Sequence, residues 1–241
     1  MEFMKLSVNI DHIATLREQR GEGFPSPAAA AIIAVKAGAH GITVHLREDH
    51  RHTQPSDLRV LKKIIDRLNL EMAFTPKMIR TALSIKPFQV TLVPEKRQEL
   101  TTESGLALSP IAGELKKTIP VLQKAGIAVS LFIEPGKSAV DASARAGADI
   151  VELHTGIYAN AYLQGNESGI KREVMKIRKT AEYAFKKGLR VHIGHGLTID
   201  NIKPFVRNKY IEEASIGHFL VSYASLLGLG TAVKKMKEGL K

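Results

Sequence analysis

The stretch Gly41-Ile42-Thr43-Val44-His45-Leu46-Arg47 alternates apolar with polar residues. On an extended chain Ile42, Val44 and Leu46 share one face, and Thr43, His45 and Arg47 share the other. The same parity recurs along the chain. Leu6, Val8 and Ile10 oppose Ser7, Asn9 and Asp11; Leu70 and Met72 oppose Glu71; Ile150, Val151 and Leu153 surround Glu152 and His154. Short apolar runs ending in polar, mostly ionisable clusters also occur at Val93-Pro94-Glu95, Phe132-Ile133-Glu134, Gly194-His195-Gly196 and Ile216-Gly217-His218. A barrel lumen is normally filled by branched apolar side chains. Ionisable groups on the inward parity, always at the carboxyl end, therefore mark one shared site.

Between these runs a second grammar repeats: Lys36-Ala37-Gly38-Ala39, Lys124-Ala125-Gly126-Ile127, Arg145-Ala146-Gly147-Ala148 and Lys187-Gly188-Leu189. A cation in a last helical turn and a glycine at the left-handed position after it both end a helix. The apolar spacing predicts helices over 28–37, 57–68, 76–85, 111–125, 171–187 and 223–237, and strands over 5–10, 41–46, 69–73, 89–93, 127–133, 149–153, 189–193 and 212–217. Strands alternating with helices imply parallel pairing through right-handed crossovers. Eight such units favour an α/β TIM barrel, a single domain over residues 1–241, and the absence of Gly-x-Gly-x-x-Gly after the first strand weakens a dinucleotide-binding alternative.

A chain of 241 residues is a normal length for such a barrel. The absence of cysteine excludes disulfides, a thiolate nucleophile and a Cys-based zinc site, and it fits a reducing, cytoplasmic setting. No apolar stretch approaches the roughly 20 residues of a membrane helix, and no signal-peptide layout opens the chain, so no membrane partner is expected. A net charge of +11 and a pI near 9.8 point to anionic partners. Nucleic acid is the first class to test, but the basic residues are scattered and tryptophan is absent, so no stacking platform for bases is seen. Phosphorylated metabolites fit better.

His45 and Arg47, two apart on the inward face, read as a proton carrier beside an anion-binding guanidinium, with a structural His beside a surface Arg as the plain alternative. His50, Arg51 and His52 extend the anion seat. Glu71 sits in an otherwise apolar strand, which raises a carboxyl toward general-base range unless a salt bridge holds it. Glu152 and His154 share a face and form a pair able to ligate metal, but no further ligand set accompanies them. The Gly-His pairs at 194–196 and 217–218 place backbone N–H groups where barrels bind phosphate. The charged loop from Pro94 to Leu106 reads as a lid, or as a plain solvent loop. Glu134 carries no assigned role.

Several strings are long and unusual: Val8-Asn9-Ile10-Asp11-His12-Ile13-Ala14-Thr15-Leu16-Arg17, Gly41 to Asp49, Asn69-Leu70-Glu71-Met72-Ala73, Leu92-Val93-Pro94-Glu95-Lys96-Arg97-Gln98-Glu99, Glu152-Leu153-His154-Thr155-Gly156 and Gly194-His195-Gly196-Leu197-Thr198. With these motifs the chain resembles the pyridoxine 5′-phosphate synthase family, which closes the pyridine ring in one route to vitamin B6. The resemblance implies condensation of 3-amino-2-oxopropyl phosphate with 1-deoxy-D-xylulose 5-phosphate, without metal or organic cofactor, in a homo-octamer. By the same resemblance Asn9, Arg20, Gly196, Gly217 and His218 hold the amino-ketone phosphate, with Arg20 expected in a loop. Asp11, His12, Arg47, His52 and Thr101 hold the deoxyxylulose phosphate. His45, Glu71 and His195 move protons, and Glu152 stabilises cationic or polarised intermediates electrostatically. The competing readings are another metal-independent phosphosugar isomerase or aldolase, for which Lys96 is the Schiff-base candidate, and a basic nucleic-acid-binding protein. Residues 157–171 carry no readable motif.

Overall fold

The computed structural model describes residues 4–95 and 104–241. Eight parallel strands close in sequence order into a barrel: β1 Lys5–Asn9, β2 Gly41–His45, β3 Leu68–Met72, β4 Gln89–Leu92, β5 Ala128–Ile133, β6 Ile150–His154, β7 Arg190–Gly194 and β8 Glu213–Ile216. The barrel closes where Lys5 to Val8 run alongside Glu213 to Ile216. The helices are α1 Asp11–Arg20, α2 Pro27–Lys36, α3 Pro55–Ile64, α4 Pro76–Ile85, α5 Ala112–Lys124, α6 Lys137–Ala146, α7 Gly156–Leu163, α8 Glu167–Lys186, α9 His218–Leu227 and α10 Leu229–Gly239.

The glycines of the repeated helix-end grammar all take positive φ: Gly38 at 103°, Gly126 at 80°, Gly147 at 84° and Gly188 at 82°. Each lets the chain leave a helix in the left-handed conformation and enter the next strand. Three helical expectations change. α3 stops at Ile64 rather than 68, because Ile65 adopts extended backbone and Leu68 already opens β3. The segment expected as one helix over 223–237 is two, broken at Gly228 with φ 77°. Arg20, expected in a loop, is the last residue of α1.

Outward side chains of the strands, such as Leu6, Val8, Ile42, Val44, Leu70, Met72, Leu131 and Ile193, are buried beneath the helices. The inward side chains are polar well below the mouth. Thr43 Oγ1 lies 2.8 Å from Ser7 Oγ, and Asn69 Nδ2 and Ser215 Oγ each donate to it at 3.4 Å. Thr91 Oγ1 donates to Asn69 Oδ1 at 3.0 Å, and the Gln89 amide Nε2 donates in turn to Thr91 Oγ1 at 3.2 Å. These hydroxyls and amides satisfy one another, while the Ser130 Oγ beside Thr91 is buried without a hydrogen-bond partner. This polar column is the floor on which the ionisable groups stand.

Candidate active site

At the carboxyl ends of the strands the expected residues form two lateral groups around a central pair of carboxyls. The first group joins β1 to β2. The Asp11 carboxylate, in the first turn of α1, accepts from the His45 backbone N–H at 2.8 Å and from Thr53 Oγ1 at 3.0 Å through the same oxygen. It thereby fixes the end of β2. The His45 ring makes a 2.9 Å contact between Nε2 and Glu95 Oε1, and Glu95 also accepts from the backbone N–H groups of Glu48 at 3.1 Å and Ala73 at 3.2 Å. Burial alone would raise the Glu95 carboxyl; its hydrogen bond to His45, the His45 charge, the Glu48 N–H and Arg47 together hold it below the ordinary range. Arg47 is buried at 3 % exposure with its Nε 3.5 Å from Asp49. His52 Nδ1 accepts from the Thr53 N–H at 2.8 Å, and burial keeps this imidazole below its usual pKa although Asp11 opposes the shift.

The second group joins β7, β8 and β1. Gly217 precedes α9, and a Cβ there would lie 3.1–3.2 Å from the Asn9 side chain, so the glycine is what admits Asn9 to this corner. Asn9 Oδ1 accepts from the Asp11 N–H at 2.9 Å. His218, first in α9, meets the His12 ring edge-on with centroids 5.0 Å apart. His12, expected with the first group, thus stands between the two, and burial, then His218, lower its pKa. His195 and Gly196 both have positive φ, 80° and 74°. A non-glycine residue in that region is uncommon. The turn is held by Thr155 Oγ1, which donates to Gly194 O at 2.7 Å and to His195 O at 2.5 Å, and by Asn201 Nδ2, which donates to Gly196 O at 2.9 Å.

In the centre stand Glu71 from β3 and Glu152 from β6. Burial, followed by the charges of Glu152 and Asp11, pushes Glu71 well above the carboxylate range. Burial and the charge of Glu213 push Glu152 up to about 8. Glu152 has room only because residue 194 is glycine: a Cβ there would fall on its Oε1. His195 is driven down to about 4 by burial and then by His154, with Glu134 opposing. The site therefore combines carboxyls whose pKa values are raised with an imidazole whose pKa is lowered, the separation that acid-base chemistry uses.

Among the described residues, one expected member is not gathered here. Arg20 is exposed at the end of α1 and pairs with Glu22 at 3.4 Å. Thr101 and the Schiff-base candidate Lys96 lie outside the described residues, as does most of the expected lid. Three residues at the site had no role assigned from sequence. Glu95 lies in a quoted motif, but its His45 contact spans 50 positions. Asn201 follows a Gly-His-Gly turn, a position from which a turn-closing amide was foreseeable. Glu134 ends β5 and contacts His154.

A family model described as pyridoxal phosphate biosynthesis protein PdxJ matches residues 6–241. A protein of Aquifex aeolicus named pyridoxine 5′-phosphate synthase is 48 % identical over 241 residues, covering 99 % of this chain and 100 % of its own length. A protein of the same name from Sulfurihydrogenibium is 51 % identical over 239 residues, with 98 % and 97 % covered. Among solved structures, 3-keto-L-gulonate-6-phosphate decarboxylase from Vibrio cholerae superposes with a TM-score of 0.65 at 12 % identity over 100 % of both chains, a likeness of fold alone. With a barrel, a two-sided acid-base site and a family match over nearly its whole length, this chain belongs to the pyridoxal phosphate biosynthesis protein PdxJ family.

Proposed function

We propose that the chain is a pyridoxine 5′-phosphate synthase, joining 3-amino-2-oxopropyl phosphate and 1-deoxy-D-xylulose 5-phosphate to give pyridoxine 5′-phosphate, phosphate and water. The observation that carries this reading is the placement of proton-carrying groups, Glu71 and Glu152, between two separate cationic or N–H-rich corners. Two phosphorylated substrates require two anion seats. Asp11, His12, Arg47 and His52 form the seat for the deoxyxylulose phosphate, and Asn9, Gly196, Gly217 and His218 form that for the amino-ketone phosphate; Thr101 and Arg20 are assigned to the two seats by the family resemblance alone.

Amine attack on the ketone, imine formation, enolisation, loss of phosphate, ring closure and dehydration each move protons, so several acid-base groups serve better than one nucleophile. The His45–Glu95 pair exchanges protons at imine formation. Glu71 takes a proton from carbon or water. His195, neutral in the free site, gains proton affinity when a substrate phosphate arrives, and then donates. Glu152 is largely protonated at neutral pH, and it stabilises developing charge as a hydrogen-bond donor. No metal or organic cofactor enters the scheme, and assembly as a homo-octamer is carried by the family resemblance. Among the described residues no helix is long and apolar enough to cross a membrane.

Metal-chelated protein mixed with both substrates is expected to form pyridoxine 5′-phosphate, followed by absorbance and mass. His45→Asn and Glu71→Gln are expected to lower kcat by about 10²–10⁴. Product formed undiminished by both variants overturns their roles, and no product from the native chain overturns the activity.

A further inference from the structure

Glu134 follows β5 and is 40 % exposed at its side chain, yet one of its oxygens makes two contacts. Oε1 lies 2.7 Å from His154 Nδ1 and accepts from the Gly105 backbone N–H at 2.9 Å. Gly105 is pressed onto the end of β5. A Cβ on it would lie 2.6 Å from the carbonyl carbon of Ile133 and 2.9 Å from its Cα, and the neighbouring Leu106 N–H donates to Phe132 O at 2.7 Å. The carboxylate position is therefore set from two sides, by β6 and by the segment returning over β5.

A carboxylate oxygen only accepts, so a neutral His154 ring carries its proton on Nδ1 and has its lone pair on Nε2. That Nε2 is buried and has no hydrogen-bond partner. It lies against Gly156: a Cβ there would clash with His154 Nε2, would lie 2.8 Å from His154 Cε1 and 3.1 Å from His195 Cδ2, so only glycine lets the two imidazoles come this close. The two imidazoles meet edge-on with centroids 5.0 Å apart, and Phe132 backs His154 at 5.2 Å. A buried imidazole with one nitrogen unpartnered, its ring fixed by a carboxylate and packed edge-on against His195, is a specific arrangement and a costly one to leave without use.

We infer that Glu134 and His154 are a positioning dyad for His195. Glu134 holds His154 as the Nδ1–H tautomer, and the edge-on packing of that fixed ring against His195 sets the orientation from which His195 donates its proton. This rests on the reading of His195 as a proton donor. Without Glu134 the His154 ring exchanges tautomers and turns an N–H toward His195, and the donor position is lost while both anion seats remain intact.

The test compares Glu134→Leu with Glu134→Gln, whose amide oxygen still accepts from Nδ1–H. Imidazole ¹⁵N shifts of the substrate-free protein at neutral pH read the tautomers directly. In Glu134→Leu, His154 is expected to become a tautomer mixture and the His195 nitrogen shifts to move. Its kcat is expected to fall by about tenfold or more, short of the loss from removing a proton-transfer group itself, with KM for either substrate within about twofold. Glu134→Gln is expected to keep the native tautomer and most of kcat. His154 remaining wholly Nδ1–H in Glu134→Leu, unmoved His195 shifts, or an effect on KM alone overturns the dyad. A fully active His195→Asn variant instead overturns the donor role, and the nitrogen shifts still decide the dyad because they require no turnover.

Discussion

A histidine that must exchange protons repeatedly needs its ring held and one nitrogen committed, and Glu95 does this for His45. The carboxylate is itself fixed by the Glu48 and Ala73 N–H groups, so its position does not depend on His45. Glu95→Ala is expected to free the ring and lower kcat roughly tenfold or more, less than the about 10²–10⁴ of a proton-transfer group. His45→Asn is expected to mask that loss, because both substitutions disable one unit. Steady-state kinetics of the two single variants and the double variant check this; additive losses would mean that Glu95 acts elsewhere. Parity along β2 gave the direction of His45 but not its partner. A period of two tells which face a side chain occupies, whereas a contact across 50 positions depends on how the loop after β4 folds back.

At the scale of elements, backbone conformation decides what a glycine is for. Gly126 ends α5 with φ 80° and has open space where a Cβ would go, so Gly126→Ala meets only backbone strain, about 1 kcal/mol. Gly113 lies within the first turn of the same helix, also with open space, and there alanine relieves the entropy of glycine by about 0.5–1 kcal/mol. The same substitution on one helix is thus expected to lower the melting temperature at 126 and raise it at 113, each by about 2–4 °C per kcal/mol. Thermal melts of the two variants check the signs. These helix-ending glycines are also why the strand order was legible: each combines a cation, a left-handed turn and an apolar run in adjacent residues. Other elements lacked that local signal. α1 buries only Asp11, Ile13 and Ala14, and α7 is apolar without a distinct face; α6 carries the signal at its end, Arg145 to Gly147, but its body is rich in small residues. The apolar run Leu226 to Leu229 hid the break at Gly228, since periodicity continues through a turn that only φ reveals.

For the whole molecule, the polar lumen places carboxyls in a closed column, and the cost appears in stability. Glu152 keeps its proton up to about 8 in the folded chain against 4.5 for the ordinary carboxyl. Between those values the folded state binds more protons than the unfolded state, so its stability is greatest below the unfolded value and falls as pH rises toward the folded one. Each pKa unit corresponds to about 1.4 kcal/mol, so a shift of this size amounts to several kcal/mol. Glu152→Gln keeps the shape and removes the ionisation. Its melting temperature is therefore expected to exceed that of the native chain at pH 8.5 by several degrees and to approach it at pH 5. A difference equal at both pH values would show that Glu152 ionises freely in the folded chain. Glu71 is raised partly by the charge of Glu152, so Glu71→Gln is expected to recover part of the same loss and the double variant less than the sum. Catalysis opposes that gain: the column that weakens the fold at high pH is what raises both carboxyls above the ordinary carboxylate range, where proton exchange serves the reaction.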